Sequence, residues 1–398
     1  MRDRDSRPMG KGAYARFAAL WFGLQFVWGA VLAVSLQARS SALAPHDGLR
    51  AYALIAALGA LVGMVAQLAI GPFADRFFDR RGNRRAFYAA GVGLAVPALL
   101  WFYLAPSYTQ LVAAFFVLQL GMNVVTGPYA AIVPDYVPSD RAGAASSWMG
   151  MLQSAGNAAG LLVAGFVESQ LAVGAVLAVG LGISWLVTSR ATQLRRADRI
   201  PRERLRVGRD FRTLVVSRTA INFGFYTLLG FLFFFVAQSL NTPADAVRTR
   251  TALLFLTFTL ANVAGAVAAA KPADRYDKRA VVMTANVAVG AGLLLLALTP
   301  NAGLAFAAAA VAGIGWGAYF IADWAIACTV LPRTAMASAM SVWNIAATLP
   351  QILAPAFTAP LVERMNALSP GAGPRVAVGL AIVEFTAGAL WLYRLPRQ

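Results

Sequence analysis

GPFADRFFDRRGNRR, residues 71–85, lies between two long apolar runs and carries five arginines (Arg76, Arg80, Arg81, Arg84, Arg85) against two aspartates (Asp75, Asp79). Charge of that density cannot rest in hydrocarbon, so the stretch is expected to be a loop at a membrane face. Loops rich in Arg and Lys stay on the cytoplasmic side, which makes this one the element that orients the rest of the chain. A shorter echo, KPADRYDKR at residues 271–279, follows another apolar run. The two Ala-Asp-Arg triplets, 74–76 and 273–275, stand half of the 398-residue chain apart, the spacing expected of two copies of one half.

Composition sets the class. The chain is 59% hydrophobic and 13% charged, with a mean hydropathy of +0.64, far more apolar than the roughly 45–50% of soluble domains. Its single cysteine, Cys328, leaves no internal disulfide, and with one histidine, His46, there is no Cys/His cluster to hold a metal. No cofactor and no metal is expected. A membrane-embedded enzyme would need a nucleophile and base or a ligand set at membrane depth, and the sequence offers neither.

A net charge of +17 would in a soluble protein suggest nucleic acid, so the placement of the 34 basic residues decides. With loops assigned alternately to the two faces, most of them fall on the side of residues 71–85. The other side receives only Arg39, Arg50, Arg248, Arg250, Arg364 and Arg375, and Arg218 is left inside a span. That asymmetry sets nucleic acid aside and places both termini in the cytoplasm. The basic N-terminus followed by an apolar run also describes a signal peptide. The run from Phe17 to about Leu36 is long enough to span the bilayer, and it reads as a retained first helix.

Apolar windows of roughly 20 residues fall at about 14–37, 51–70, 86–105, 108–133, 142–167, 171–189, 213–238, 251–270, 280–299, 303–331, 338–362 and 375–393. The expectation is an all-α polytopic membrane protein of twelve transmembrane helices in two pseudo-symmetric six-helix bundles, 1–189 and 213–398. Between them a basic linker, 190–212, is drawn to anionic lipid headgroups. The fourth-to-fifth junction (PYAAIVPDYVPSDRAGAASSWMG) and the tenth-to-eleventh (AYFIADWAIACTVLPRTAMASAMSVWN) share a plan. Each runs from a long helix through a Pro-bearing turn into a helix carrying a tryptophan, Trp148 or Trp343. Duplicated bundles with a site near the midplane are a common build for secondary transporters.

Gly71, Asp75, Arg76, Gly82, Arg84 and Arg85 resemble the pattern that major facilitator transporters carry between helices two and three. The likeness extends to the proton-coupled sucrose symporters and their bacterial relatives, with Ala74, Asn83 and Ala86 departing from the symporter loop. The first helix resembles theirs through Gln25 and Trp28, and the Gly156-Asn157 pair and the Asn344 to Gln351 stretch look similar too. The resemblance covers the whole chain for the superfamily and only short patches for sugar symport. It implies a multi-pass transporter of the plasma membrane, expected to act as a monomer, alternating between inward-open and outward-open states around a cavity lined by helices one, four, seven and ten. The expected gating residues are the loop set just named with Asp274 and Arg275 in the second half and Asp135 and Arg141 at the fourth-to-fifth turn.

Charge within a span is costly unless paired or wetted, so ionisable groups there are the sharpest pointers to function. Asp323 in the tenth helix is the first candidate for a coupling proton and Glu384 in the twelfth the second. The rival for both is a structural pair, with Arg218 a partner for Asp323. Sugar sites combine hydrogen-bonding groups with a stacking ring in an otherwise apolar pocket. The candidates are Gln25 and Trp28, Gln119, Asn123 and Tyr129, Asn222 and Tyr226, and Trp316 and Tyr319; the pairs Asn222/Tyr226, Trp316/Tyr319 and Tyr319/Asp323 are spaced to align on their helices. The expected function is proton-coupled symport of a small solute, a sugar, with proton-antiport export of drug-like or lipophilic compounds as the alternative.

Overall fold

Helix is the one open backbone form that satisfies its own hydrogen bonds in hydrocarbon. A computed structural model describes residues 11–81, 83–130, 132, 136–137, 142–193, 207–330 and 336–396. These form twelve long helices and, among the described residues, no strand. In chain order they are α1 (Gly12–Leu43), α2 (Gly48–Arg81), α3 (Arg85–Leu104), α4 (Tyr108–Tyr129), α5 (Ala142–Phe166), α6 (Gln170–Gln193), α7 (Arg209–Ser239), α8 (Val247–Arg275), α9 (Lys278–Leu298), α10 (Ala302–Val330), α11 (Met336–Leu368) and α12 (Ala372–Leu392). Among the described residues, eleven are long and apolar enough to cross a membrane.

The charged stretch at 71–85 is not the loop expected of it. α2 stays helical through Arg81, and only Asn83 and Arg84 lie between it and α3 among the described residues. The echo at 271–279 behaves alike, with α8 continuing to Arg275. Hydropathy marks where a chain leaves hydrocarbon, but a helix bonded to itself has no reason to stop there. At 34 residues α2 is about 51 Å long, well beyond a hydrocarbon core of about 30 Å.

Local signals fix several ends. Ser107 caps α4, its side chain accepting from the Gln110 backbone N–H, and Asp277 caps α9, accepting from Arg279 N. Gly371, at φ 80°, makes the left-handed turn into α12 with its Cα against the Gln238 carbonyl, where a Cβ would have no room. α1 and α7 each carry a π-helical turn near the C-terminal end, Val31–Ser35 and Phe235–Ser239, a further trace of the doubling.

The described helices group into two compact units. One comprises Met1–Val31 and Leu61–Pro201, the other Leu32–Ala60 and Arg202–Gln398. In the first, α1 lies backbone to backbone on α5, since a Cβ at Gly156 or Gly160 would meet the Phe22 or Phe26 carbonyl oxygen. In the second, Gly317 of α10 is pressed against the Asn262 carbonyl of α8 in the same way. Such small-residue crossings are how membrane helices gain close van der Waals packing without a hydrophobic drive. The second unit also includes the C-terminal end of α1 and the N-terminal end of α2, with the Tyr52 ring packed on Phe231 and Phe234 of α7.

Arg375 ties three helix ends of the second unit together. Its Nη1 donates to the carbonyls of Ala297 (2.6 Å) and Thr299 (2.8 Å) at the end of α9, and Nη2 to that of Ser239 (2.9 Å) at the end of α7. A cation on carbonyls at helix C-termini is favoured twice, by charge-assisted bonds and by the helix dipole. Arg50 instead makes an exposed pair with Glu363 (3.1 Å), its own side chain 71% exposed. Arg375→Ala is expected to cost about 1–3 kcal/mol and to lower the unfolding midpoint in detergent, whereas Arg50→Ala stays within about 1 kcal/mol of the parent. Equal midpoints for the two variants would refute the capping role.

Candidate functional site

The ionisable groups inside the second unit converge on one place. Arg218, third turn of α7, donates from Nη1 to Oδ2 of Asp323 in α10, and both side chains are buried, 7% and 4% exposed. The indole of Trp343 in α11 lies under the guanidinium, with Cζ 3.4 Å from the ring centroid. A cation on the face of a tryptophan is attracted by the ring quadrupole, most strongly where water is excluded. Tyr319, one turn before Asp323 on α10, sets its hydroxyl beside both charges. Asn222, one turn after Arg218, donates from Nδ2 to the Arg218 carbonyl (2.8 Å).

This ion pair is the arrangement in which two charges survive at membrane depth. Alone, either would cost several kcal/mol; paired, stacked and hydrogen-bonded, they are held without net charge. The pair is not fully satisfied. Arg218 Nε and Trp343 Nε1 are buried N–H donors with no hydrogen-bond partner among the described residues. Glu384 lies elsewhere, on α12 beside Thr227 of α7, with its Oε2 buried and unpartnered.

The other sequence candidates separate by what their polar atoms do. Tyr129 is spent within the first unit, its hydroxyl donating to the Phe17 carbonyl (2.6 Å) and accepting from Trp21 N (3.2 Å). Asn123 donates from Nδ2 to the Gln119 carbonyl (2.7 Å) and Oε1 (3.1 Å). Gln25 and Trp28 stand half-exposed on α1, and Tyr226 is half-exposed on α7. Trp316 is stacked on Phe225 (4.6 Å, 11°) and packed edge-on to Phe385, part of an aromatic pile that binds α7, α10 and α12.

Of the expected gating residues, Arg84 is buried at the turn into α3, where its carbonyl accepts from Phe87 N and Tyr88 N. Arg85 opens α3 with its N–H donating to Asn83 Oδ1 (3.3 Å), and Arg275 is exposed at the end of α8. Gly82, Asp135 and Arg141 lie outside the described residues. The side chains of Asp75, Arg76 and Asp274, and the surroundings of Gly71, do so too, although the helices run through them. Sequence reasoning missed Trp343 as a site residue and used it only as a marker of the repeat. Its signal was available: a tryptophan one to two turns into a membrane helix, on the helix that follows Asp323.

Twelve membrane-length helices in two units, one holding a sealed ion pair, define a polytopic α-helical membrane protein. The chain belongs to the Major Facilitator Superfamily, whose family profile matches residues 18–355 and again 217–397. It is a membrane transporter of small solutes by that membership. Among solved structures it is similar to a bacterial homolog of the human lysosomal transporter Spinster. In the inward-facing, unoccupied conformation that protein gives 18% identity and a TM-score of 0.70 over 96% of each chain. In the inward-facing, occupied conformation it gives 18% and 0.71 over 96% of this chain and 95% of that one. The nucleoside transporter NupG is similar at 13% identity and a TM-score of 0.71, over 96% of this chain and 99% of that one. At such identities the likeness carries the fold alone. Among curated proteins none matches in sequence.

Proposed function

We propose that the protein is a proton-coupled secondary transporter that imports a small polar solute of sugar-like character by alternating access, with Asp323 as the proton carrier and Arg218 as its counter-charge. The observation that carries this reading is the buried Arg218–Asp323 pair on Trp343. A carboxylate whose only charged partner among the described residues is a permanent cation can take and lose a proton only by changing what that cation binds, which is the essence of coupling. The sugar-like character rests on the short symporter-like patches around Gln25 and Trp28. It also agrees with a nucleoside carrier among the proteins of similar fold. The aromatic residues that favour an exporter of lipophilic compounds, Trp316 foremost, are stacked on one another rather than left open. Residence in the plasma membrane as a monomer, cytoplasmic termini and anionic headgroups at the basic segments belong to the same reading.

The experiment is reconstitution of the purified protein into proteoliposomes with an internal pH dye and a panel of sugars, sugar acids, polyols and nucleosides. An inward proton gradient is expected to drive at least one solute above equilibrium, and a protonophore to collapse that accumulation. Solute efflux driven by the same gradient, with no solute-elicited proton uptake, would establish export by antiport instead.

A further inference from the structure

We infer that the transported solute carries a carboxylate, that this group and Asp323 compete for Arg218, and that the acid therefore crosses with one proton and without net charge. The inference rests on the reading of Asp323 as proton carrier. Its ground is the unmet hydrogen bonding around a single buried cation. Arg218 spends Nη1 on Asp323 and one face of its plane on Trp343, while Nε has no acceptor. The Trp343 Nε1–H is buried and unmet as well. A buried donor without an acceptor is costly, and two of them belong to this cluster, one on the guanidinium and one on the indole stacked against it. The guanidinium edge formed by Nε and an Nη matches both oxygens of a carboxylate at once, a fit that a lone hydroxyl cannot offer.

Charge balance separates an acid from a neutral sugar. With Asp323 ionised and the site empty, the cluster sums to zero. A proton on Asp323 leaves the guanidinium bare in a buried place; a solute carboxylate restores neutrality, and a neutral sugar does not. An uncompensated buried ion is strongly disfavoured, so the two states that reorient readily are the empty one and the one holding proton plus acid. The half-loaded states are held back, which ties one proton to one carboxylate and suppresses leak.

The groups that face Asp323 are few. Arg218 comes from α7 and Tyr319 from α10 itself, while Tyr226 of α7 faces Arg218. α8 and α9, which pack on α10, carry their described charges only at their ends: Arg248, Arg250, Lys271 and Arg275 in the first, Lys278 and Arg279 in the second. Glu363 and Arg364 lie near the far end of α11, and Glu384 of α12 stands by Thr227. Among the described residues no second cation reaches the cluster, so a monoanion suits it and a phosphate dianion does not.

The test uses the full-length protein in detergent. Unfolding midpoints are measured with acetate, L-lactate, D-gluconate and D-glucuronate, and with D-glucose and D-sorbitol, at acid and at mildly alkaline pH. A ligand that binds only the folded protein raises the midpoint. The expected result is a rise with at least one carboxylate, larger at acid pH, and none with the neutral compounds. Arg218→Lys, which keeps the charge and loses the fork, weakens apparent affinity at least tenfold while preserving a folded reference. The best acid is then taken into proteoliposomes, where its uptake follows the pH gradient and ignores a potassium diffusion potential of either sign. Stabilisation by neutral sugars alone, a panel of acids that shifts nothing, or uptake scaled by the potential overturns the inference. Acid binding and uptake indifferent to pH would overturn the proton-carrier reading and leave the carboxylate site standing.

Discussion

In proteoliposomes Asp323→Asn is expected to abolish solute accumulation driven by a proton gradient while leaving exchange of internal for external solute. The carboxamide has the shape of the neutral acid and cannot lose a proton, so the variant is fixed in the protonated state. A carrier that can hold solute but cannot shed its proton still exchanges one solute molecule for another, because exchange never needs the empty carrier to return. Net transport does need it, and in the variant the empty carrier must reorient with Arg218 unpaired, at a cost of several kcal/mol. Glu384→Gln is the matched control. Among the described residues Glu384 has no cation beside it and stands with Thr227, so its loss is expected to leave accumulation in place. The reverse pattern, with Asp323→Asn accumulating normally and Glu384→Gln failing, would move the proton to α12.

The architecture was legible because a membrane imposes a length on apolar runs, and twelve such windows were readable without any knowledge of packing. What was misread at residues 71–85 and 271–279 follows from the same rule. Arginines show where the chain meets water, and α2 and α8 enter it still helical. The site was half legible. Arg218, Asp323 and Tyr319 stood out as ionisable or polar residues within spans, and the partnership of the first two was open as an alternative to coupling. That Trp343 completes the cluster depends on α11 meeting α7, 125 positions apart in sequence, and helical spacing within one element carries no such information. The same limit applies to Tyr129 and Trp316. The sequence offered Tyr129 as a polar residue on a cavity helix and Trp316 as one turn from Tyr319, but only packing reveals that one is consumed by the Phe17 carbonyl and the other by the Phe225 ring.

Removing one member of the buried pair is expected to do more harm than removing both. Arg218→Leu leaves the Asp323 carboxylate buried without its counter-charge, with only the Tyr319 hydroxyl beside it among the described residues, and should destabilise the protein by about 3–5 kcal/mol. Arg218→Leu with Asp323→Leu discards both charges and the desolvation they require, and buried pairs replaced by well-packed apolar residues are often neutral or stabilising by about 1–4 kcal/mol. The double variant should therefore unfold at or above the parent midpoint while the single variant unfolds well below it. The comparison also separates the two readings of the pair. If Arg218 and Asp323 serve only to hold α7 against α10, an apolar contact can replace them and transport survives in the double variant. If they carry the proton, the double variant is a stable protein that accumulates nothing. A double variant as unstable as the single one would sink the desolvation argument, and one both stable and fully active would end the assignment of coupling to this pair.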